Sequence, residues 1–138
     1  MTIALLDTGV DRAHPYLSGR ILPGIDLVGD DPDTSAAPDP DGSNRLERHG
    51  TEMAGILVGA GGPGGMSGIA PGASVLPIRV AGWQPEVTGG SAVYARTDQL
   101  IAGLGRVGEG GVGDGLADQR DPGRVMGVTV EVRVDRSL

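Results

Sequence analysis

The chain of 138 residues carries 18 acidic against 11 basic side chains, a formal net charge of −7; that argues against nucleic acid or anionic lipid as a partner, since both need clustered Lys and Arg. With 26 glycines, 10 prolines and no Phe, any core has to be assembled from Val, Ile, Leu, Ala and Met within at most one domain. The lack of cysteine excludes disulfides and thiolate chemistry, and no apolar run approaches the roughly 20 residues that span a bilayer.

Residues 2–6 form a continuously apolar run that ends at Asp7, the pattern of a parallel strand buried on both faces. Asp7 would project from the strand's carboxyl end, the edge at which open α/β sheets bind ligands. Gly9 permits a tight turn. His14, beside Pro15, is read as a structural loop histidine, second to His49 as a candidate base. No secretory signal is visible ahead of the strand, and no compartment is assigned.

A second short strand is expected within residues 24–28. Residues 29–44 then hold Asp30, Asp31, Asp33, Asp39 and Asp41 among three prolines, a composition that stays in solvent. Carboxylates on a loop are what a calcium ion takes, and Asp39-Pro40-Asp41 begins like a calcium loop. Asn44 replaces the glycine at the sixth position and Gly50 the closing glutamate, so no motif supports a structural calcium, and no cofactor is expected.

A helix is expected over residues 49–60, with Met53, Ile56 and Leu57 on one apolar face together with Ala54 and Val58. Thr51 is expected to cap it, with Glu52 suiting the positive end of the helix dipole. His49 lies at that same end, which helps keep a neutral, proton-accepting imidazole. Gly59-Ala60-Gly61-Gly62-Pro63-Gly64 has dinucleotide-binding spacing but follows a helix instead of leading into one. It is expected to be a flexible connector. A strand over residues 74–80 follows, then a glycine-rich loop, then a helix from Thr97 with Leu100, Ile101, Leu104 and Val107 on one side.

Three ordered segments carry a resemblance. Asp7-Thr8-Gly9, followed by Asp11 and His14-Pro15, and His49-Gly50-Thr51-Glu52-Met53-Ala54-Gly55 are similar to the aspartate and histidine segments of the subtilisin-like serine peptidases, and Gly68-Ile69-Ala70-Pro71 resembles a later turn of that family. The match covers residues 2–80 well and 81–104 loosely. It implies an incomplete α/β fold, three αβα layers around a mostly parallel sheet, and a serine endopeptidase acting on polypeptide. In it Asp7 is the orienting carboxylate and His49 the general base.

The third member of that triad is missing. None of Ser18, Ser35, Ser43, Ser67, Ser74, Ser91 and Ser137 has the family's Gly-Thr-Ser context, and Asn44, the single asparagine, precedes the histidine and cannot match the family's oxyanion asparagine. The alternative reading is a catalytically inactive truncated remnant, or a fragment that complements another chain; such a half domain should melt without a cooperative transition. Less favoured is a retroviral-type aspartic peptidase built on Ala4-Leu5-Leu6-Asp7-Thr8-Gly9, a homodimer whose two carboxylates share a proton.

The resemblance ends at Leu104. Residues 103–127 hold nine glycines and are expected to be disordered, so that 1–104 is the peptidase-like part and 105–138 a Gly-rich tail. Val128, Val130, Val132 and Val134 alternate with polar residues as in a terminal strand with one wet face. The abrupt change motivates the hypothesis that the reading frame shifts near Leu104. A search of the other frames of the downstream DNA that finds no serine segment would count against it.

Overall fold

The computed structural model describes residues 1–38, 47–62, 64–87, 89–108 and 125–130. Four parallel strands form the central sheet in the order β2 (Ile25–Asp26), β5 (Ser74–Arg79), β1 (Thr2–Asp7) and β8 (Val125–Val130). The continuous apolar run of β1 is explained by its central place. Ile3 and Leu5 face one layer, and Ala4 and Leu6 the other.

Helix α1 (His49–Val58) covers the first face, where Ala54 and Val58 pack with Ile3, Leu5, Val10, Leu17 and Val75. Helix α2 (Thr97–Gly108) covers the second, placing Leu100 and Val107 against Ala4, Leu6, Ile78 and Val80. Gly103 lets α2 lie close: a Cβ there would stand 2.7 Å from Val80 Cγ1 and 3.2 Å from Leu6 Cδ2. The result is the expected αβα layering around a parallel sheet, with Asp7 at the sheet's carboxyl edge.

Several local expectations differ from the structure. Helix α1 stops at Val58, and residues 60–67 form an antiparallel hairpin of β3 (Ala60–Gly62) and β4 (Gly65–Ser67) in place of a mere connector. The ring of Tyr16 lies over this hairpin, and a Cβ on Gly65 would stand 2.7 Å from it, so glycine there makes room for an aromatic face. The expected loop after residue 80 contains a second hairpin, β6 (Ala81–Pro85) with β7 (Ser91–Ala95). Helix α2 continues to Gly108, past the glycines that promised disorder. Strand β8 begins at Val125, ahead of the alternating valines, and pairs with β1. Val132 and Val134 lie outside the described residues.

The acidic loop is held by its own carboxylates. Asp31 Oδ1 accepts from Asp33 N–H at 2.7 Å and Asp33 Oδ1 from Ser35 N–H at 3.0 Å, the Asx turns that favour Asp in loops. Hydrogen bonds from Ser35, side chain first, hold the Asp33 carboxyl below its ordinary 3.8. A depressed carboxyl stabilises the folded loop fully above its unfolded value and loses that contribution as pH falls through the lowered one. Ser35→Ala is expected to raise the Asp33 midpoint toward 3.8, measured by carbon-detected NMR titration. Asp39, Asp41 and Asn44 lie outside the described residues, and among those described no three metal-ligating side chains converge.

Candidate active site

Asp7 ends β1 and His49 begins α1, 42 residues apart in sequence, and the structure brings them into contact. His49 Nδ1 lies 2.8 Å from Asp7 Oδ1 and 2.9 Å from Oδ2. An ionised carboxylate only accepts, so Nδ1–H donates and, in the neutral ring, Nε2 carries the lone pair. The Asp7 side chain is 4% exposed and that of His49 31%; the carboxylate is sealed in while the imidazole reaches the surface.

Thr8 joins the two elements. Its N–H donates to Asp7 Oδ1 at 2.7 Å, and its hydroxyl accepts from Gly50 N–H in the first turn of α1 at 3.0 Å. Two glycines allow this approach. Gly9 turns the chain at φ +103°, and a Cβ there would meet the Thr34 carbonyl at 2.6 Å, a conformation and a space that only glycine suits. A Cβ on Gly50 would stand 2.3 Å from Gly9 O and 3.2 Å from Asp7 Cβ, so any side chain at 50 would lever α1 away from the carboxylate.

Thr51 does not cap α1 as expected. Arg48 is the N-cap residue and its side chain makes no capping bond. Because His49 is already helical, Thr51 is too far in to cap, and its hydroxyl accepts from Asp11 N–H at 2.9 Å instead. That bond ties the turn after Asp7 to the helix once more. His14 stays a loop residue: its Nδ1 accepts from Tyr16 N–H at 3.4 Å at the head of a single 3-10 turn (Pro15–Leu17), and its ring tilts against that of Tyr16.

A buried ion cluster lies next to the pair, and no motif in the sequence marks it. Arg79, at the end of β5, donates from Nη1 to Asp26 Oδ2 at 2.7 Å and from Nη2 to Glu47 Oε2 at 3.1 Å. Burial works against the guanidinium charge, but the bonds and fields of Asp26 and Glu47 outweigh it and hold Arg79 protonated beyond its ordinary range. The available signal was a lone charge in each of two apolar strands, Asp26 and Arg79, since buried charges demand partners.

An open parallel sheet between helices, with an aspartate and a histidine meeting at its carboxyl edge, is the architecture of the N-terminal part of a subtilisin-like α/β domain. Comparison with known proteins agrees. The sequence model of the subtilase family matches residues 1–100, and the chain belongs to that family of serine endopeptidases. It is 34% identical over 102 residues to fervidolysin of Fervidobacterium pennivorans, covering 74% of this chain and 14% of that protein. It is 36% identical over 80 residues to the major intracellular serine protease of Bacillus subtilis, covering 58% of this chain and 24% of that one. The crystal structure of a cold-adapted subtilisin-like serine proteinase superposes with a TM-score of 0.55 at 27% identity, covering 81% of this chain and 33% of that one. The chain therefore spans a quarter or less of the length of these two curated relatives.

Family and fold together set aside the aspartic-peptidase alternative as an account of Asp7. That reading expected a nearly all-strand fold, whereas Asp7 here ends a parallel strand and faces an imidazole.

Proposed function

We propose that Asp7 and His49 are the orienting carboxylate and general base of an Asp-His-Ser triad that hydrolyses polypeptide substrates, residues 1–104 being the part of the peptidase domain that carries them. The observation behind this reading is the 2.8 Å contact between the buried carboxylate and His49 Nδ1. In such a triad Nε2 takes the proton of the serine hydroxyl as the oxygen attacks the scissile carbonyl, and the carboxylate stabilises the imidazolium that forms. The same imidazolium then protonates the leaving amine.

None of the seven serines has the Gly-Thr-Ser context of the family's nucleophile, and on this reading none of them serves as one. The chain by itself is then proposed to be inactive, a remnant or a complementing fragment, since loss of the nucleophile costs on the order of 10⁶ in rate in subtilisin. The purified chain is expected to cleave no peptide substrate and to take up no serine-directed phosphonate, as read by intact-protein mass spectrometry. Stoichiometric labelling of any of its seven serines would place the nucleophile within the chain and overturn this reading.

A further inference from the structure

Arg79 does more than neutralise two acids. Its Nε donates to the carbonyl of Thr8, the residue after Asp7, at 3.1 Å, while Nη2 reaches Glu47, two residues ahead of His49. Nη1 is held by Asp26, whose other oxygen accepts from the N–H groups of Val28 and Gly29 at 2.7 and 2.9 Å. Glu47 accepts in turn from Trp83 N–H at 2.6 Å, so the guanidinium is anchored to the ends of β1 and β2, the approach to α1 and the start of the β6–β7 hairpin. The side chains of Asp26 and Glu47 are 1% and 0% exposed. Gly82 closes over them, since a Cβ there would stand 2.8 Å from Arg79 Nη2 and 3.0 Å from Glu47 Oε1.

Resting on the reading of Asp7 and His49 as the base pair of a triad, we propose that Arg79 is a positioning residue that sets the Asp7–His49 distance by clamping the turn after the carboxylate to the segment leading into the imidazole's helix. Thr8 is where the clamp acts. Its N–H holds Asp7, its hydroxyl holds Gly50, and its carbonyl is held by Arg79. A movement of the guanidinium is passed to both partners at once. Buried ion clusters contribute little net stability, because desolvation offsets the attraction. Their planar donor forks, however, fix several acceptors in one geometry. Lysine keeps the charge but cannot hold Thr8 O, Asp26 and Glu47 together.

The test is an NMR titration of the imidazoles in the full chain, whose two histidines give one reporter, His49, and one control, His14. Among the described residues, the charged groups around His49 are Asp7 at its Nδ1, the Asp26–Glu47–Arg79 cluster, Asp11 beside Thr51, and Arg48 and Glu52 at the start of α1. Arg79→Lys and Glu47→Asp leave all these charges in place, so a change in His49 reports position. Asp7→Asn is expected to lower the His49 midpoint by about one pH unit or more. Arg79→Lys should lower it by at least half as much, with an unchanged far-ultraviolet circular dichroism spectrum and an unmoved His14, and Glu47→Asp should shift it in the same direction.

If Asp7→Asn shifts His49 while both folded cluster variants leave it in place, the clamp is overturned and the base pair stands. If Asp7→Asn itself leaves His49 unmoved, the base-pair reading fails and takes the clamp with it. Loss of structure in both cluster variants would mark Arg79 as a folding residue only and also overturn the proposal.

Discussion

His49→Ala is expected to lower kcat/KM by about 10⁶-fold in a chimera that joins residues 1–100 of this chain to the remainder of the Bacillus subtilis relative's catalytic domain, a magnitude taken from subtilisin. Without the imidazole no group accepts the serine proton as attack proceeds, and the leaving amine finds no acid. Asp7→Asn should cost about 10⁴-fold. The amide keeps the shape of the carboxylate but offers an N–H to Nδ1, which favours the ring tautomer with its proton on Nε2, where the base must be empty. His14→Ala is the control, since that ring caps a surface turn against Tyr16, and its kcat/KM should stay within a factor of two or so, as surface substitutions generally do. Steady-state kinetics on a chromogenic peptide decides the matter. Equal losses from His14→Ala and His49→Ala, or a His49→Ala chimera of near-native activity, would remove His49 from the base role.

The contact between Asp7 and His49 was legible because each lies in a short contiguous motif whose local structure follows from sequence. A doubly buried strand has to be apolar up to the edge where Asp7 leaves the core, and Gly9 and Gly50 mark the two places where backbone and helix come too close for a Cβ. The layering was legible for the same reason: the apolar period of 49–58 differs from the unbroken run of 2–6.

The Asp26–Glu47–Arg79 cluster was not, because its members are single residues on separate elements, brought together only by the strand order β2-β5-β1. No local pattern encodes which two acids an arginine will meet. The two hairpins failed differently. Glycines at 59–65 read as flexibility, yet Gly62 and Gly65 make room for the ring of Tyr16. The loop around residues 86–90 hid a strand pair whose β-forming residues, Trp83, Val93 and Tyr94, are few. Helix α2 runs on to Gly108 because Val107 still has the sheet to pack against, a tertiary gain that outweighs the weak propensity of its glycines.

Arg79→Met is expected to destabilise the fold by about 3–5 kcal/mol, the cost of stranding buried charges by removing one partner. Two carboxylates, each with a side chain no more than 1% exposed, would lose their shared cation and be left buried without a countercharge. The urea midpoint of Trp83 fluorescence measures this locally, since the sole tryptophan donates its backbone N–H to Glu47. Replacing the whole cluster by neutral groups often restores stability in buried ion networks; here Arg79→Met with Asp26→Asn and Glu47→Gln should recover only part of the loss. Asp26 also accepts from Val28 and Gly29, and Glu47 from Trp83 and Ala37. Asp26 takes both of its N–H groups on one oxygen, which an amide keeps, whereas Glu47 takes one on each oxygen, so the amide at 47 leaves one N–H without its partner at about 1–3 kcal/mol. Full recovery in the triple variant would mean that the carboxylates act as countercharges alone, and that the second acceptor oxygen of Glu47 is dispensable.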